Sequence, residues 1–112
     1  MDPTQTKLET VQILQEAILQ MTSPEFELAL LEQPDNVVKN AKRERARVQM
    51  ARVILENTQL AAIRDRLVAN ETELREGRRR VNEAIQNLQQ VQEVLGAIAS
   101  FVDLVGRVVA LV

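Results

Sequence analysis

VILENTQLAAIRDRLVANETELREGRRRVNEAIQNLQQVQEVLGAIASFVDLVGRVV, residues 53–109, is the stretch on which the fold class turns. Every seventh residue from Val53 is apolar: Val53, Leu60, Leu67, Leu74, Val81, Leu88, Leu95, Val102 and Val109. In a chain that is 46% hydrophobic, such a run arises by chance about once in a thousand trials, or roughly once in 150 when all seven phases are allowed. The series three residues on adds Ile63, Ala84, Val91, Ile98, Val105 and Val112, so the two resemble the a and d positions of a heptad. No period-two alternation accompanies them. The pattern predicts helix, with the Val-rich 102–112 as the weakest part of that reading, and an all-α fold.

Working outward, residues 36–112 contain no proline. The window 64–83 is the most polar part, and its d positions, Asn70 and Gly77, are poor choices for a packed layer. A hairpin turning within 70–77 brings the apolar arms on either side together, which burial at about 25 cal/mol/Å² favours. The expected architecture is a helical bundle with a long coiled-coil-like hairpin and helices at about 3–21, 24–32, 36–70 and 78–111. The alternative is one very long helix from about 36 onward, forming an oligomeric coiled coil roughly 115 Å long. Asn70 is then a register residue, whereas in the hairpin Asn70 and Gly77 mark the hinge.

Towards the N-terminus, Asp2-Pro3-Thr4-Gln5 reads as a cap, a first-turn proline and a capping box. Leu8, Val11, Leu14, Ile18 and Met21, widened by Ile13 and Ala17, form the stripe of a first helix. Ser23-Pro24 starts a second, and Pro34 ends it. Residues 1–20 lack a basic start followed by an apolar run, so no secretory signal is expected, and the expected location is cytoplasmic or membrane-associated. One domain is expected, either alone or as the N-terminal module of a longer protein.

The chain has no His and no Cys, which removes the commonest general base, thiolate nucleophiles, disulfides and most metal sites. Gly77, Gly96 and Gly106 are isolated, so no phosphate loop exists. Ser23 reads as a helix cap and Ser100 as a small packing residue. No enzymatic activity, cofactor, metal or small-molecule substrate is expected. Aromatics are only Phe26 and Phe101, so a core must be built from Leu, Ile, Val and Ala.

Net charge is −2, but residues 1–35 carry seven acids against Lys7, while 36–112 carry thirteen bases against nine acids. The simplest reading sets the acidic front beside the basic middle in one fold. Lys42, Arg43, Arg45 and Arg47, within the basic stretch 39–52, are the candidate polyanion contacts, although the missing stacking aromatics make nucleic acid the least supported partner. Residues 94–112 are apolar over a length near a bilayer's hydrocarbon thickness, but Asp103 and Arg107 oppose a simple span.

These readings converge on a non-enzymatic module for protein–protein interaction or oligomerisation, with a helical partner that is self or other. The expected interaction seam is Leu60, Leu67, Leu74, Val81, Leu88, Leu95, Ile98, Phe101, Val102 and Val105. A membrane-acting bundle inserting 94–112 and nucleic-acid binding through 39–52 are the competing readings.

Overall fold

A helix needs its first N–H groups satisfied, and Asp2 does this for α1 (Pro3–Met21): its carboxylate accepts from Thr4 N at 2.9 Å. Gln5 does not complete a capping box; its amide donates to Glu9 instead. The buried face runs through Thr6, Thr10, Ile13, Leu14, Ala17 and Met21, leaving Leu8 outside. Both threonines bury without orphaned hydroxyls, because Thr6 donates to Asp2 O and Thr10 to Thr6 O. Ser23 Oγ accepts from Phe26 N and opens α2 (Pro24–Leu30), which buries Phe26 and Leu30.

The computed structural model describes residues 2–109, and every regular element among them is an α-helix. After Pro34 come α3 (Asp35–Asn57), α4 (Leu60–Ala69), α5 (Glu71–Ala84) and α6 (Val91–Val109). The segment 36–70 is therefore two helices rather than one. The break falls at Asn57-Thr58, where side chains take over the last carbonyls of α3: Asn57 donates to Val53 O and Thr58 to Ile54 O. Thr58 is extended, and its own carbonyl accepts from Lys7 Nζ of α1 at 2.7 Å.

A second bend falls at Asn70, whose side-chain amide donates to Arg66 O while its carbonyl starts α5 by accepting from Leu74 N. Asn70 thus lies at a bend between two helices, not at the turn of the hairpin. Gly77 is at neither. It lies inside α5, and the chain reverses at 85–90 rather than within 70–77. Overlapping turn bonds from Ile85, Gln86, Asn87 and Gln90 make that reversal, and Ile85 and Leu88 anchor it in the core. The α5–α6 hairpin is antiparallel, with Glu73 paired to Arg107 and Gly77 set against Phe101.

The molecule measures 44 × 25 × 18 Å, so the 115 Å rod is not formed. Short helices packed as a bundle replace the long coiled-coil hairpin, because each break lets the next apolar face turn back onto the same core. The accessible surface, 6539 Å², is close to the about 6200 Å² of a compact monomer of this mass. The expectation for 110–112, including the Gly106/Ala110 spacing, lies outside the described residues.

Candidate interaction surfaces

The heptad ribbon is spent inside the chain. Leu67, Leu74, Val81, Leu88, Leu95, Ile98, Phe101, Val102 and Val105 are buried, and Leu60 packs half-buried against them. Val53, the first of the ribbon, is exposed on α3. Helix α6 turns its apolar face to the core and shows water Gln92, Glu93, Gly96, Ser100, Asp103 and Arg107. No described helix is long and apolar enough to cross a membrane.

Gly77 has a packing role that the sequence pattern does not reveal. A Cβ there would lie 2.7 Å from Phe101 Cδ1, so only glycine lets the Phe101 ring against α5. Asn70, by contrast, sits at the bend between α4 and α5.

Much of the basic stretch faces acids of its own chain. Arg45 pairs with Glu27 of α2, Arg52 with Glu56, and Arg47 with both Glu44 and Asp103 of α6. Arg78 likewise pairs with Glu9 of α1. Two acids of the front, Glu9 and Glu27, thus meet bases of the remainder. Arg43 reaches Glu44 at 3.4 Å while staying largely exposed, and Lys42 is exposed with no ion pair among the described residues. The four candidate polyanion contacts are therefore divided, with Arg45 and Arg47 engaged and Lys42 and Arg43 outward.

Glu44 is the residue that reading by charge misses. It falls at the middle of the buried face Val37, Ala41, Glu44, Val48, Ala51, Leu55, and its side chain is 1% exposed. Arg47 Nη1 holds both carboxylate oxygens, at 2.8 and 3.0 Å, and Arg47 in turn reaches Asp103, tying α3 to α6. Its hydrogen bonds to Glu44 and then Asp103 raise the pKa of Arg47 further. Arg78, and after it Gln5, donate to Glu9 and hold its carboxyl below the ordinary range; Arg79 does the same to Glu76. Two of these pairs, Arg47–Asp103 and Arg78–Glu9, join one helix to another, and the described residues contain no cluster of potential metal ligands.

The apolar side chains left outside the core are concentrated in the N-terminal half of the chain. The large exposed apolar side chains are Leu8 (49%), Leu19 (61%), Leu28 (65%), Leu31 (80%), Met50 (59%), Val53 (44%) and Val68 (55%). All but Val68 belong to α1, α2 with its cap, or α3. Beside Leu31, a recess of about 360 Å³ between α2 and α3 is floored by Met21, Phe26, Leu30, Val38 and Ala41. Comparison with protein-family models, curated proteins and solved structures returns no match.

Proposed function

We propose that the chain is a non-catalytic helical interaction module that meets its partner through the outer face of α1, α2 and α3. The observation that carries this reading is the clustering of exposed apolar side chains on these helices, while α5 and α6 show none among their described residues. Isolated surface leucines are ordinary, but a set gathered on neighbouring helices beside an apolar recess is how docking faces are built. The heptad residues serve this function indirectly, by holding the layer rigid.

The test is capture of partners by the wild-type chain and by Leu31→Asp with Met50→Asp, followed by reconstitution from purified components. We expect a partner that binds the wild type in purified form and loses at least about tenfold in affinity to the double variant, in line with burial of two large apolar side chains. Purified partners that bind both chains equally would refute the assignment of the face.

A further inference from the structure

The outer face of α3 suggests what sits on this surface. Lys42, Ala46, Gln49, Met50 and Val53 are exposed on one strip of the helix, and Glu56 borders it. The fourteen steps from Lys42 to Glu56 make nearly four turns and about 21 Å, so the two lie on the same flank. Their midpoint is Gln49. Ala46 and Val53, seven apart, centre on the same place, between Gln49 and Met50.

We infer that the occupant is a second copy of this chain, its α3 antiparallel to the first, with a two-fold axis beside Gln49 and Met50. This rests on the proposed interaction face and names its partner. The axis sets Lys42 against the other copy's Glu56, and small Ala46 against its Val53, each contact made twice. The charges permit it. Lys42 has no acid partner among the described residues, and Glu56 receives Gln15 and Arg52 on the same oxygen, Oε1, leaving Oε2 to accept.

The flanks extend the pairing. Arg45–Glu27 and Gln15–Glu56 put α2 and α1 on the same flank of α3, at its start and its end respectively. A two-fold operation therefore carries exposed Leu31 of one copy toward exposed Leu8 of the other. Met50 and Val53 then lie between the two Lys42–Glu56 pairs, with Leu31 and Leu8 extending the apolar contact at either end. An antiparallel helix pair of this length alone buries less than the about 800 Å² per partner of a standard interface, so the dimer is a weak and concentration-dependent one.

Sedimentation equilibrium on the full chain, from micromolar to millimolar, tests this with Lys42→Glu, Glu56→Lys, their combination, and Met50→Asp. All three positions are exposed, and circular dichroism checks that each variant is folded. The wild type should dimerise, each charge reversal should weaken the dimer about tenfold, and the double reversal should restore it to within about threefold. Met50→Asp should leave a monomer. A wild-type dimer indifferent to the charge reversals, or not rescued by their combination, overturns the two-fold register. A wild-type monomer at millimolar concentration overturns self-pairing. If a purified partner is then still lost on Met50→Asp, the interaction face stands with a different occupant; if none is, both readings fall.

Discussion

Glu44 and Arg47 show how unequal the two ends of one ion pair can be. Glu44 is buried, whereas Arg47 is a third exposed and can turn to water. Removing the cation strands a carboxylate in the core; removing the acid strands nothing. Arg47→Ala should therefore cost roughly 3 kcal/mol, the low end for a broken buried pair because Arg43 remains nearby. Glu44→Met should be neutral within about 1 kcal/mol, or stabilising, as apolar replacements of buried ions often are. Urea unfolding of both variants measures the asymmetry, and equal losses would contradict it. The spacing of Val37, Ala41, Val48, Ala51 and Leu55 announces a buried position at 44, so the site was legible by period. A tally of charges alone reads Glu44 as one acid among arginines.

Two glycines make a matched pair at the same scale. A Cβ at Gly96 meets nothing within 4 Å, while one at Gly77 meets the Phe101 ring. Gly96→Ala should stabilise by about 0.5–1 kcal/mol through helix propensity. Gly77→Ala gains the same propensity but overpacks, for a net loss of about 1 kcal/mol. Thermal unfolding that raises both midpoints would refute the close approach. For Glu9 the pH dependence has a definite sign. Its pKa is lowered in the fold by Arg78, so the pair contributes stability above the unfolded value near 4.3 and loses it as pH falls through the folded value below that. The gap in stability between the wild type and Glu9→Gln should narrow from pH 7 to pH 3.

Among the elements, the ends marked by proline, serine and aspartate follow the sequence closely, because Asp2, Ser23 and Pro34 act through local chemistry that any chain must obey. The break after Asn57 and the reversal at 85–90 were not legible for the opposite reason. No glycine or proline makes them. Asn57 and Thr58 end α3 by bonding its last carbonyls, and Leu88 fixes the reversal by entering the core. Such stops depend on what lies across the fold. Distance measurement between spin labels at 73 and 107 distinguishes the arrangements. A continuous helix separates these positions by about 51 Å, whereas the Glu73–Arg107 pair brings them together.

For the whole molecule, the apolar ribbon correctly foretold a helical protein with a large aliphatic interior, and misled about shape. A spacing of seven within each short helix satisfies a common core as well as it satisfies a coiled coil, since each helix sees only its own one to three members. Small-angle scattering of the monomer should give a radius of gyration near 14.0 Å. A uniform rod of the length of one unbroken helix would give about 33 Å.

Among the described residues, helix α6 supplies nine of the 26 buried apolar ones, and it packs against α3, α4 and α5. It is also the helix that leaves the ribosome after all of those it covers. Until it emerges, the preceding helices have no lid for their greasy sides, so folding during synthesis must wait. Stalled nascent chains ending near residue 88 should be cut readily by protease and held by chaperones, and those carrying α6 beyond the exit tunnel should become resistant in a single step.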